Sequence, residues 1–253
     1  MASPITTCQA IVLRTVPYGE ADLVVHLLCR GRGKLGAFAR GARKSTRRFG
    51  GGVEPFTLLD VEVAERRGGD LLDFKGAQII EPHLSLRTDL NRLAHAGYAT
   101  ELCRELLREN EPHDELFELL LLFFSTLSHA GARSLSLRAF ELAALGAAGF
   151  APQLDQCARC GSDPEPVSEL WFSANVGGVI CVACAGAGAI RIDRLTWKSL
   201  LGLQRGGLAL AERADAGQLP LEIVRRVLKA FIDRHVHHDL RSRAFIEEVG
   251  APA

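Results

Sequence analysis

Residues 30–48 read RGRGKLGAFARGARKSTRR, and the middle of this stretch is a strand between two turns. Across Lys34–Arg40 the residues Leu35, Ala37 and Ala39 fall on one side and Phe38 on the other, the period-2 alternation of a half-buried β-strand. Glycines at 31, 33 and 41 punctuate it. The same 19 residues hold eight cations, Arg30, Arg32, Lys34, Arg40, Arg43, Lys44, Arg47 and Arg48, and no acidic residue. A charge run is often only a solvated loop. Its unbroken sign here favours a surface that neutralises phosphates and releases counterions. Phe38 and Phe49 lie among the cations as candidate base-stacking rings.

Outward from this stretch, the first 80 residues continue as β structure. Thr7–Thr15, Asp22–Leu28, Thr57–Ala64 and Leu71–Ile80 read as further strands, with Arg66-Arg67-Gly68-Gly69-Asp70 as a turn before the last. Five short strands with glycine-rich turns predict a small barrel. A five-stranded OB barrel fits the count, and so does an SH3-like barrel. Gly50-Gly51-Gly52 loosens the chain after Arg48. Beyond Glu81-Pro82 the period changes from 2 to 3.6. Helices are expected over Arg87–Asn110, Asp114–Ala130, Ser134–Ala148, Arg194–Gln204 and Leu221–His238, the second apolar around most of its circumference and so predicted to be buried. The predicted fold is α+β, with a barrel over 1–80, a helical domain over 81–150 and 190–245, and a cysteine-bearing module over 151–189. The tail Gly250–Ala253 is expected to fray.

The whole chain has 253 residues, 30 basic and 30 acidic, and a formal net charge of zero. The zero hides a division: residues 1–80 carry 12 Lys and Arg against 8 Asp and Glu, a net of +4, and residues 81–253 carry 18 against 22, a net of −4. No apolar run reaches the roughly 18 residues of a membrane span, and the first 15 residues lack the plan of a secretory signal. A cytoplasmic protein is expected, and its seven cysteines then need a reason other than disulfides.

Four of them form Cys157-x-x-Cys160 and Cys181-x-x-Cys184, with twenty residues between the pairs. This spacing predicts one structural Zn²⁺ held by four thiolates, with no open position for water or substrate. The intervening Leu170–Ser173 and Gly177–Ile180 read as a two-strand ribbon. Neither pair opens a helix after a strand, as a redox dithiol would. Cys8, Cys29 and Cys103 sit in apolar surroundings and are expected to behave as small buried hydrophobes.

No catalytic residue is predicted. Gly31-x-Gly33-x-x-Gly36 matches a dinucleotide fingerprint only as letters, because it joins strands and opens no helix. His235, His237 and His238 cluster beside Asp239; they are a conceivable second metal site, or a complement to a helix C-terminus. Glu101, Glu105 and Glu109 beside Arg104 and Arg108 are ordinary helix-surface pairing. A nuclease or RNA-modifying enzyme with a structural zinc is the alternative to a binding protein.

Gly19-Glu-Ala-Asp22, Gly33-Lys34, Ala39-Arg-Gly-Ala-Arg-Lys-Ser45 and Pro55-Phe56 resemble the blocks of the bacterial recombination mediator RecO family, and the order of parts is similar over essentially the whole chain. The resemblance implies a non-enzymatic, nucleoid-associated DNA repair protein with an N-terminal OB fold. It implies binding to single- and double-stranded DNA, annealing of complementary strands, and partnership with RecR to load RecA onto SSB-coated DNA. It puts Lys34, Arg40, Arg43 and Lys44 in the DNA-facing stretch, with Arg47 and Arg48 beside it, and Cys157, Cys160, Cys181 and Cys184 on zinc. It also implies a helical-domain pocket for the acidic, apolar SSB C-terminal tail, for which Arg133 and Arg138 beside Phe140 are the candidates.

Overall fold

The protein is described from a computed structural model, which covers residues 4–49, 53–66, 69–165 and 169–249, with Thr46 and Arg47 described by backbone alone. Gly50-Gly51-Gly52, Arg67-Gly68 of the predicted turn, the Arg47 side chain and the tail from Gly250 lie outside the described residues.

The first strand, β1 (Ile5–Tyr18), is long enough to serve two neighbours. Its second half pairs antiparallel with β2 (Asp22–Cys29), from Ala10 opposite Cys29 to Tyr18 opposite Asp22. A register shift between Val12 and Arg14 bends the strand, as a bulge does. β3 (Gly33–Ala39) pairs with β2, and a single helical turn, α1 (Thr46–Phe49), follows it. The first half of β1 pairs with β4 (Leu58–Ala64), and β5 (Leu72–Glu81) lies antiparallel to β4. A short parallel contact, Ala37 opposite Leu72 and Phe38 opposite Asp73, closes the barrel in the order β1-β2-β3-β5-β4. That closure makes it the OB fold, which strand pattern alone left level with an SH3-like barrel. The inward set is the alternating one: Val25, Leu27, Leu35, Ala37, Ala39, Val61 and Val63 are all buried. Phe49, delivered by α1, enters this core with its ring 5.3 Å from Phe74.

After Pro82 come α2 (Ser85–Thr88) and α3 (Leu90–Leu106). A single helix over 87–110 was expected; it breaks at Asp89, which is extended and caps α3 by accepting the Arg92 N–H at 2.8 Å. α4 (Asp114–Ala130) has the predicted bounds but buries only one broad face, through Leu116, Phe117, Leu120, Phe123, Phe124 and Leu127; Leu122 is 55% exposed.

α5 (Ser134–Ala147) is followed by β6 (Glu169–Ser173), β7 (Gly178–Ile180) and β8 (Ile190–Asp193). These form a sheet ordered β7-β6-β8, so the expected ribbon gains a third strand. α6 (Arg194–Arg213) runs past the expected Gln204 by kinking at Gly207, where φ is +54°. α7 (Leu221–His235) ends before the last two histidines. A last helix, α8 (Arg241–Val249), was not anticipated; none of its residues is buried.

Two compact units result, one running through His129 and rejoined from Ser242 onward, the other Ala130–Arg241. In the first, the Ser242 N–H at the start of α8 donates to Glu101 at 2.8 Å. In the second, Trp197 of α6 donates its indole N–H to the Leu154 carbonyl at 2.8 Å, and Phe172 of β6 meets Phe231 of α7 edge-on at 5.6 Å. Among the described residues no helix is long and apolar enough to cross a membrane.

Candidate nucleic-acid interface and metal centre

The basic stretch divides at β3. Its first turn is docked on the α3–α4 connection. The Arg30 guanidinium pairs with Glu118 at 2.7 Å and lies 4.8 Å from the Phe117 ring centroid. The Gly31 N–H donates to Asp114 Oδ1 at 2.6 Å. Lys34 Nζ donates to the Arg104 carbonyl at 2.9 Å, one of the unpaired carbonyls at the end of α3, and sits 3.5 Å from Glu109. The Asn110 N–H returns a bond to the Lys34 carbonyl at 2.9 Å. Gly33 has φ +74°, and a Cβ there would fall 1.7 Å from the Glu111 carbonyl oxygen. Arg30 and Lys34, expected on nucleic acid, therefore hold the barrel to its helices.

The second turn faces solvent. Gly41 donates its N–H to Asp22 Oδ1 at 2.7 Å, the Arg43 N–H to the Ala21 carbonyl at 3.0 Å, and Arg43 Nη1 to the Glu20 carbonyl at 3.3 Å. These bonds lock the turn onto the β1–β2 hairpin, so blocks 19–22 and 39–45 form one piece. Arg40, Arg43 and Lys44 are exposed, and among the described residues none has a carboxylate within ion-pair distance. Arg32 is half-buried beside Cys8 and Cys29. Arg48 is exposed, 4.9 Å above the Phe49 ring.

Phe49 is 1% exposed and offers no face to a base; it is core, because α1 turns it inward. Phe38 points outward, between inward Ala37 and Ala39, yet is only 8% exposed. Two side chains from outside the basic run cover it: Tyr18, with its ring nearly perpendicular at 5.4 Å, and Arg66, its guanidinium 4.7 Å from the ring. Near them Asp73 is held below the usual carboxylate range by its bond from Lys75, with Arg66 and Arg40 adding to the effect. Arg66 and Lys75 lie outside the basic run, so only the β3–β5 pairing reveals that they join it.

An open groove of about 720 Å³ crosses β1, β4 and β5, with Arg48 and Lys75 facing Asp60 and Glu62. Its charges balance, so it does not select an anion. Cys8 lines it; the hydrogen bond from Cys29 pulls the Cys8 thiol down to about 7. Cys29 and Cys103 are buried, as expected, but Cys8 is not.

Cys157, Cys160, Cys181 and Cys184 place all four sulfurs within 4.8 Å of one another. The Cys160 and Cys181 sulfurs are 3.7 Å apart, close to the edge of roughly 3.8 Å in a tetrahedron with metal–sulfur bonds of about 2.3 Å. Each pair is a tight turn: Gly161, at φ +73°, donates to the Cys157 carbonyl at 2.8 Å, and Cys184 donates to the Cys181 carbonyl at 3.0 Å. Burial pushes the Cys157 thiol up, but backbone N–H groups of Cys181, Cys160 and Arg159 outweigh it and hold it at about 6. The neighbouring thiols, Cys181 first, push Cys184 up to about 12. Four thiolates so close repel; a divalent cation among them removes that penalty, and the donor set fits one.

The histidine cluster does not assemble. The His235 ring packs against Phe150 and Phe231 at 4.6 and 4.7 Å, and burial holds it below the ordinary histidine value. Among the described residues no histidine joins a converging set of three or more potential ligands. Arg133, Arg138 and Phe140, the side chains expected to line a pocket, are engaged within their own unit. Arg133 donates to the Glu212 and Ala214 carbonyls at 2.9 and 3.1 Å, closing the end of α6. Arg138 pairs with buried Glu141 at 3.0 Å, and Phe140 is fully buried.

Two family models match the chain, "Recombination protein O N terminal" over residues 1–83 and "Recombination protein O C terminal" over residues 87–244. It is 49% identical over 245 residues to the DNA repair protein RecO of Anaeromyxobacter sp. (strain K), covering 95% of each chain. Identity to the proteins of the same name from Myxococcus xanthus and Geobacter sulfurreducens is 43% and 35%, covering 96% of this chain and 97% of theirs.

Proposed function

We propose that this chain, which belongs to the RecO family of DNA repair proteins, is a non-enzymatic mediator at the nucleoid that binds single- and double-stranded DNA and anneals complementary strands. With RecR it would help RecA load onto SSB-coated DNA. The observation that carries this reading is the turn Arg40–Lys44: three exposed cations, locked to a rigid hairpin and unpaired with carboxylate among the described residues. Cations that meet only phosphate position a strand without reading its sequence, which leaves base edges open to pair. DNA contacts are assigned to Arg40, Arg43 and Lys44, with Arg48 beside them. Arg30 and Lys34 are left to structure, and the SSB tail is not assigned to Arg133, Arg138 and Phe140.

The four cysteines would hold one structural zinc, whose binding energy would be folding energy for the module around β6–β8. Metal analysis of protein purified without chelators should give one zinc per chain; none would remove the zinc from this reading. The deciding experiment is annealing of SSB-coated complementary oligonucleotides. The protein should accelerate it without added nucleotide or metal. A rate equal to that of SSB-coated strands alone would reject the proposal.

A further inference from the structure

Phe38 is an outward-facing aromatic on a barrel strand, covered by two side chains that are themselves exposed. Tyr18, at the end of β1, is 61% exposed and meets Phe38 at 5.4 Å with the two rings nearly perpendicular. The exposed Arg66 lies over the Phe38 ring at 4.7 Å. Strand register explains the grouping: Val16 and Phe38 both sit opposite Val24, so Tyr18, two residues beyond Val16, emerges on the same outer face. Arg40 follows in the turn just past β3, near enough to act on Asp73, which lies opposite Phe38. The hairpin bearing Tyr18 is the one to which the Arg40–Lys44 turn is bonded.

Tyr18 covers Phe38, yet at 61% exposure most of its ring is left open to solvent beside the cations. A π-face beside guanidinium groups is what an unpaired nucleotide requires: a ring to stack its base and a cation for its phosphate. A duplex hides its base faces and meets only the cations.

We propose that Tyr18, with Arg66 over Phe38, forms a stacking site for an unpaired base of single-stranded DNA, next to the phosphate-binding turn. This rests on the DNA-binding reading above and adds to it a means of telling single strands from duplexes. Tyr18 is the platform, Phe38 packs against it, and Arg66, held over Phe38, supplies a nearby cation for the phosphate.

The test compares wild type, Tyr18→Ala and Tyr18→Phe by fluorescence anisotropy on a single-stranded oligonucleotide, its blunt duplex, and the same single strand with abasic sites. Tyr18→Ala should weaken single-strand binding by roughly 5- to 100-fold, the value of one base–aromatic stack. Duplex binding and the salt dependence should stay unchanged, because no charge is removed. Tyr18→Phe should stay within about twofold of wild type. Wild type should lose affinity for the abasic strand, and Tyr18→Ala should not distinguish the two strands. Thermal melting of both variants checks that the barrel is intact. Equal losses on single strand and duplex, or no loss on either, would overturn the stacking site while leaving the phosphate turn standing. A wild type that binds no DNA would instead overturn the reading on which it rests.

Discussion

At one end of β3 the turn Arg30-Gly-Arg-Gly-Lys34 lies against the α3–α4 connection, with Arg30 on Glu118 and Phe117 and Lys34 on the Arg104 carbonyl. At the other end Arg40-Gly-Ala-Arg-Lys44 is bonded to the β1–β2 hairpin through Asp22, Ala21 and Glu20, and its cations are exposed. Both turns are built from glycines and cations, and both have a glycine with φ near +70°. Their difference is what stands opposite: a stretch 70 to 88 residues further along the chain for one, solvent for the other. A basic run thus has two parts, one docked on the helices and one left facing solvent.

The largest effect that separates the turns is steric. Gly33→Ala places its Cβ 1.7 Å from the Glu111 carbonyl oxygen at φ +74°, whereas Gly41→Ala at φ +69° meets nothing within 4 Å. Gly41→Ala should cost about 1–2 kcal/mol, the left-handed backbone penalty alone. Gly33→Ala should add displacement of the helical connection and cost about 3–5 kcal/mol, in the range of severe mutations. Urea unfolding of both variants measures this. Equal costs would mean that docking does not fix the first turn.

Next comes charge. Replacing Arg40, Arg43 and Lys44 together by alanine should lower single-strand affinity about 10- to 100-fold at low salt and reduce the log–log salt slope by roughly 2, since each lost phosphate contact contributes about 0.7. Stability should hold within about 0.5 kcal/mol, as for other surface changes. Lys34→Met should do the reverse: an unchanged salt slope and a loss of about 1–3 kcal/mol, because the Arg104 carbonyl at the end of α3 loses its donor. A Lys34→Met variant that lowered the slope and kept its stability would put Lys34 back on DNA.

What was legible in the sequence follows the range of the interactions. Strand alternation is local, and all five barrel strands stand where Leu35, Ala37, Ala39, Leu59, Val61 and their like predicted them. The cysteine pairs were legible because two knuckles to one ion is a spacing rule, and the four sulfurs do converge. The roles of Arg30, Lys34 and Phe49 were not, since nothing in residues 30–49 says that Glu118, Arg104 and Phe74 stand opposite them. Tyr18, Arg66 and Lys75 were missed for the same reason: they come to the basic face only through β-pairing. Arg133 was misread because a cation near an aromatic in sequence looks like a pocket, whereas the helix end it closes lies 79 residues away.

The smallest effect sharpens the comparison by pH. His26 on β2 stands on the docked side of the barrel, and burial there holds it below its ordinary value of 6.5. Glu109 pulls the other way, but Arg104, Arg14 and Lys34 add to the depression. Folding therefore favours the neutral ring. The stability this preference contributes is whole above the unfolded value of about 6.5 and is lost as pH falls below it toward the folded value. Urea midpoints should accordingly decline from pH 8 to pH 5.5, with His83, also depressed by burial, contributing in the same direction. His26→Gln should remove part of that decline and leave the part owed to His83 and to His235, whose ring burial likewise holds low. The free turn, from Arg40 to Lys44, contains no histidine. Salt-corrected DNA affinity should then be flat across the interval in which the docked end weakens. A decline in midpoint as steep in His26→Gln as in wild type would show that the docked turn does not sense the proton.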